Sequence, residues 1–208
     1  DVMKKVAEAL GLTPEFVQLE WAGLLPGLAG KRFDVVSSGV TRTAARLASE
    51  DFRILSPYTV NGVAIVRRNG DERISGWDAV CGMKMGAVRG AIQPKMALEE
   101  LGSDCVSSVT EYPGWTEMLL DLKNKRVDFI VGDYLGPSYL TKKGGLDVEV
   151  VPEVIRPNSQ SIAVAAGKPN LAEAIDALLT QYREDGTLDA LLKEHFGASV
   201  EVDWSKMR

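Results

Sequence analysis

An arginine set behind a run of small residues is the first piece of chemistry in this chain. Ser37-Ser38-Gly39-Val40-Thr41-Arg42-Thr43-Ala44-Ala45-Arg46 follows the apolar residues Phe33, Val35 and Val36. Glycine and small hydroxyl residues leave backbone N–H groups accessible, and a guanidinium presents a planar fork of donors. Together they suit one carboxylate. The same spacing also describes a short helix start with a solvated arginine. A second charged candidate, Asp133, ends the buried-looking run Val127-Asp128-Phe129-Ile130-Val131-Gly132. That is the carboxyl edge at which α/β sheets collect ligands, and the position equally suits the N-cap of the next helix.

Other chemistries find little support. The sole histidine, His195, has no serine or cysteine motif beside it, and with two cysteines it cannot build a conventional zinc cluster. Glycine-rich phosphate loops and nucleophile elbows are missing from the sequence. A net charge of −5 argues against nucleic acid or an anionic membrane as the main partner. No apolar run approaches the ~20 residues that span a bilayer. With 208 residues, 45% hydrophobic and 25% charged, the chain suits one large or two small globular domains. It carries no signal peptide, so a secreted protein would be seen here in processed or truncated form.

The elements that must position these groups alternate between helix-like and strand-like, which predicts an α/β fold. Val2, Val6, Ala9 and Leu10 share one helical face. Glu15–Leu19 reads as a strand, Trp21–Leu28 as a short helix, Phe33–Ser37 as a strand and Arg42–Ser49 as a helix. Gly62–Arg68 is a strand. A second unit follows: a strand at Met83–Val88, a turn at Gly90, a helix at Pro94–Leu101, and a strand at Val106–Glu111. A helix at Trp115–Leu122 and strands at Val127–Val131, Leu146–Val151 and Ser161–Ala166 come next. Helices at Leu171–Tyr182 and Leu188–His195 close the chain before Phe196-Gly197.

In this order the motifs resemble the periplasmic solute-binding proteins of amino-acid ABC transporters, family 3. The Ser38–Arg46 stretch with Phe52 and Ser56-Pro57-Tyr58 resembles the family's first ligand loop. Trp21-Ala22-Gly23-Leu24-Leu25-Pro26-Gly27-Leu28, then Gly30-Lys31-Arg32-Phe33-Asp34, resembles its aromatic and Leu-x-Pro segment. Gly82–Ala91 resembles the strand and glycine turn opening the second lobe, and Leu122–Asp133 the stretch before the family's aspartate. Ile162–Lys168, Asp185-Gly186-Thr187-Leu188 and Phe196-Gly197 resemble its C-terminal signature. The likeness covers nearly the whole chain.

That resemblance implies a two-lobed type-2 periplasmic-binding-protein fold, each lobe a mostly parallel sheet flanked by helices, joined by two hinge strands. Lobe 1 would be 1–61 and 162–208, lobe 2 would be 62–161. It also implies non-catalytic binding of an amino acid or close derivative between closing lobes, for delivery to the membrane permease of an ABC transporter. Neither a cofactor nor a metal is implied, nor nucleic acid, nor insertion in the membrane. The location would be periplasmic, or extracellular and membrane-tethered in a Gram-positive cell. By the same resemblance Arg46, Thr41, Gly39 and the Gly90–Ala91 turn hold the ligand carboxylate, and Asp133 its ammonium. Trp21 would pack on the ligand side chain, or else lie in the core, and Arg89 is a specificity candidate or a solvated charge. Trp77, Trp115 and Trp204 read as packing residues.

The chain departs from the family pattern in two places. It opens at Asp1 inside the family's first helix, without the preceding strand, which would leave neighbouring strands with unpaired N–H and C=O groups. It also has Ala91 where the family often has a hydroxyl residue. Two readings of other classes remain, a cyclohexadienyl dehydratase-like enzyme of the same fold and the sensing module of a receptor. Cys81 and Cys105 each precede one of two strands expected to be parallel neighbours, within reach of a disulfide; a bridge and two buried thiols are both open.

Overall fold

The computed structural model describes residues 1–144 and 147–196. Gly197, Trp204 and Leu146 from the readings above lie outside the described residues. The chain forms two compact units: Asp1–Leu19, Gly23–Val60 and the chain from Asn158 onward make unit 1, and Glu20–Ala22 with Asn61–Pro157 make unit 2. The crossings fall after Val60 and after Pro157, a few residues from the boundaries expected at 61 and 161, and the short piece around Trp21 groups with unit 2.

Unit 1 is built on β8 (Ile155–Ala165), whose later residues have β1 (Val35–Thr41) on one side and β2 (Phe52–Ile54) on the other, both antiparallel. Ile162 and Val164 project to one face of β8 by its two-residue period. There they pack with Val6 of α1 (Val2–Ala9), Ile175 and Leu179 of α7 (Pro169–Glu184), and Leu188 of α8 (Thr187–Phe196). α7 starts with Pro169, fixed at a helical φ where no N–H is required. The Tyr182 hydroxyl donates to the Lys5 carbonyl at 3.1 Å, and His195 Nε2 meets Asp1 Oδ2 at 2.7 Å. Both contacts tie the C-terminal helices to α1.

Unit 2 carries a mixed sheet. β3 (Thr59–Arg68) pairs antiparallel with β6 (Phe129–Asp133) and β7 (Val148–Val150), whereas β4 (Lys84–Val88) lies parallel to both β6 and β5 (Ser108–Tyr112). The sheet of unit 2 is thus mixed, where the family resemblance implied a mostly parallel one. Alternate residues divide between two cores. Val63, Ile65, Met85, Phe129 and Val131 pack with Trp77 and Ala97 of α4 (Gln93–Leu101). Val66 and Ile130 face the other way onto Met118 and Leu122 of α5 (Trp115–Lys123). The Trp115 ring lies so close to Gly132 that a Cβ there would sit 2.8 Å from it. Asp128 Oδ2 accepts the Lys84 N–H at 3.0 Å and Asp128 N–H donates to the Lys84 carbonyl, so this aspartate sets the start of β4.

Cys81 and Cys105 form a disulfide with Cα atoms 4.5 Å apart, joining the chain just before the parallel neighbours β4 and β5. Unfolded protein kept oxidised should show no thiol to alkylating reagent in mass spectrometry. Replacing both cysteines by serine should cost about 2–4 kcal/mol in urea denaturation, because the loop they close is then unconstrained in the unfolded chain. Two alkylated cysteines in the oxidised parent would refute the bridge.

Glu15–Leu19 is not a strand. Among the described residues no sheet pairing involves 13–20, and Phe16 and Val17 stay 64% and 58% exposed. A strand needs a neighbour to take its N–H and C=O groups, and apolar alternation alone does not supply one. Between this segment, Val6 and Leu10 of α1, and Val35 and Val36 of β1 runs a groove of about 530 Å³.

Candidate functional site

In unit 1 the candidate residues share one loop whose shape comes from a bulge. Val36 pairs with Ala163 and Val40 with Ser161, so β1 takes four steps where β8 takes two. The two extra residues push Ser37–Gly39 out of register. Gly39 sits at φ +67°, the left-handed region that favours glycine, with the Gln160 amide beside it. The strand recovers at Thr41, which is buried opposite Gln160. Thr43 then caps the four-residue helix α3 (Ala44–Leu47), its hydroxyl accepting the Arg46 N–H at 3.3 Å. The single turn of helix swings the half-buried Arg46 side chain back, and its Nη1 donates to the Thr41 carbonyl at 2.9 Å. That bond fixes the orientation of a guanidinium, a group whose planar fork suits an anion. The loop therefore brings Gly39, Thr41 and Arg46 together.

In unit 2 the candidates gather at the carboxyl ends of the parallel neighbours β4 and β6. Gly90 turns the chain after β4 at φ +72°, and the indole N–H of Trp21, first residue of α2 (Trp21–Ala29), donates to its carbonyl at 3.1 Å. Trp21 is half-buried and held at this turn, with Ala22 packed on Gly90. The Ala91 N–H donates to the Val88 carbonyl at 3.1 Å within the turn. The Arg89 side chain is exposed, while its N–H donates to the Tyr112 carbonyl at 2.8 Å. The Tyr112 phenol itself is pushed up to about 12, by burial first and then by its hydrogen bond to the Asp121 carboxylate.

Asp133 is the last residue of β6, opposite Val63 of β3, and is half-buried. Its Oδ1 accepts from Gln93 Nε2 at 2.7 Å. Behind it, Asn61 Oδ1 accepts from Tyr134 N–H at 2.9 Å and Leu135 N–H at 3.2 Å, pinning the entry to α6 (Leu135–Gly144). Asn61 therefore serves the helix N-terminus. Sequence reasoning missed Gln93 and Asn61. A signal for Gln93 exists in hindsight: it is a long polar residue placed between a glycine turn and Pro94, at a position that the helix buries.

No group of His, Cys, Asp and Glu among the described residues is arranged to hold a metal ion. Nor is any helix among them long and apolar enough to cross a membrane.

Comparison with known proteins places residues 1–198 under the family model described as bacterial extracellular solute-binding proteins, family 3. The chain is 29% identical to the L-cystine-binding protein TcyJ of Escherichia coli K12, over 95% of this chain and 73% of that protein. It is 26% identical to the L-cystine-binding protein TcyA of Bacillus subtilis, over 96% of this chain and 72% of that protein. Among solved structures, an ancestral arginine-binding protein bound to arginine superposes with a TM-score of 0.82 at 29% identity, covering 95% of this chain and 86% of that one.

Proposed function

We propose, on the premise that this chain belongs to the bacterial extracellular solute-binding proteins of family 3, that it binds an α-amino acid without chemical change and delivers it to an ABC transporter permease. Arg46 and Thr41 take the ligand carboxylate, Asp133 takes its ammonium, and Trp21 supplies an aromatic surface to the side chain. The observation that carries this reading is the Gly39–Arg46 loop. A two-residue bulge, a left-handed glycine and a helix cap all converge on holding one guanidinium beside accessible backbone. A solvated surface arginine needs none of these. A disulfide fits a compartment outside the cytoplasmic membrane, where thiols oxidise and stay oxidised.

The test is a thermal-shift screen of the purified chain against the proteinogenic amino acids and L-cystine. The last is included because two relatives carry its name, and L-arginine has the same warrant. A ligand at one hundred times its Kd adds about 2.7 kcal/mol to the folded state. For a chain of this size that is a rise in Tm of roughly 5–10 °C. Proton NMR of the ligand after prolonged incubation should show it unchanged. No stabilisation by any member of the panel, or conversion of a bound one, would overturn the reading.

A further inference from the structure

We propose that Gln93 is the positioning residue of the cation subsite: its amide holds the Asp133 carboxylate in the orientation that receives the ligand ammonium. The inference rests on the reading of Asp133 given above and goes beyond it, since nothing in that reading requires Gln93.

A glutamine in a buried place needs a reason. Gln93 opens α4 and is only 6% exposed, in the company of Pro94 and Ala97, the other buried residues of that helix. An apolar side chain would fill the position without desolvating an amide, and a buried amide is stable only when hydrogen-bonded. The partner it finds is Asp133 Oδ1, forty residues on, at 2.7 Å. That is the length of a charge-assisted bond from an N–H to a carboxylate, stronger than one between neutral groups.

The surroundings leave that bond a definite task. The backbone of Asp133 is already fixed from two sides, by its pairing with Val63 and by the Asn61 oxygen that takes the N–H groups of Tyr134 and Leu135. Gly132 keeps the Trp115 ring against the strand immediately before it. The Asp133 side chain still turns about its own torsion, and it is on that torsion that the Gln93 bond acts. A carboxylate meant to receive an ammonium is most effective when it does not have to reorganise on binding. Gln93 supplies such a constraint from the first residue of a helix.

The test uses the intact chain, with the tightest-binding amino acid of the screen and the 2-oxo acid bearing the same side chain as paired probes. Affinities are measured by calorimetry, and folding of each variant by its thermal transition. Gln93→Met keeps the length and bulk of the side chain and removes the amide. Gln93→Asn keeps an amide on an arm too short to reach, and serves if the first variant does not fold. Each should weaken the amino acid about 10- to 150-fold, the loss of one hydrogen bond to a charged group, and change the 2-oxo acid by about 2-fold or less. In the Asp133→Asn background the same Gln93 substitution should change amino-acid affinity by about 2-fold or less, because the carboxylate it positions is gone. Equal losses for both probes, or an undiminished loss in the Asp133→Asn background, overturn the proposal and leave Gln93 as a packing residue. If Asp133→Asn alone leaves amino-acid affinity unchanged, or no amino acid binds, the ammonium reading falls and this inference falls with it.

Discussion

Arg46→Ala should remove detectable binding of an amino acid and of its 2-oxo analogue alike. The Arg46 guanidinium, turned back against the loop by α3, can give a carboxylate two parallel charge-assisted bonds. Losing them is worth about 2–4 kcal/mol, or roughly 30- to 900-fold in Kd. The fold should survive. The cap of α3 uses the Arg46 backbone N–H, which alanine retains, and the side chain gives up its bond to the Thr41 carbonyl at a half-buried position. Arg46→Lys should recover little, since an ammonium is a point charge without the fork's geometry. Calorimetry giving Arg46→Ala the affinity of the parent, with an unaltered thermal transition, would remove Arg46 from the site. Loss for the amino acid alone, with the 2-oxo acid unaffected, would be as damaging, because the carboxylate is common to both.

Much of this arrangement could be read from residue types, for reasons that differ by element. Val63, Ile65 and Val66, or Phe129, Ile130 and Val131, are apolar on both faces because each face of the unit 2 sheet has its own core. A continuous β-branched and aromatic run reports that burial directly. The Gly39–Arg46 loop was legible because its glycine and its cap are local requirements, decided within a few residues of chain. Glu15–Leu19 misled because the same kind of apolar pattern says nothing of a partner. Phe16 and Val17 lie at the mouth of a groove rather than in a ladder. Pairing direction was equally hidden. β1 reads as a strand followed by a helix and β2 gives no strand signal of its own, yet each lies antiparallel to β8, which comes more than a hundred residues later. The Gln93–Asp133 bond was out of reach for the same reason, since forty residues and a whole β–α–β passage separate its ends. Local chemistry is written in local sequence, whereas a partner across a sheet is decided by packing.

Asp133→Asn should separate the ligand's two charged groups. If the carboxylate neutralises an ammonium, replacing it by an amide leaves the cation under-compensated in a desolvated place, at a cost on the order of 3–5 kcal/mol. The amino acid should then lose roughly 150- to 5,000-fold in affinity, while the matching 2-oxo acid, which has no cation, should change little. The substitution preserves shape, and the carbonyl oxygen of the new amide can still accept the Gln93 N–H, so the local fold should persist. The pattern is the complement of that expected for Arg46→Ala, which affects both ligands. An enzyme using Asp133 as acid or base would show neither: the variant would keep its substrate affinity and lose turnover. Affinity by calorimetry and ligand integrity by NMR, measured on the same samples, therefore distinguish a binding carboxylate from a catalytic one. Unchanged amino-acid affinity in Asp133→Asn would show that the ammonium is held elsewhere, and turnover by the parent would place the protein among enzymes.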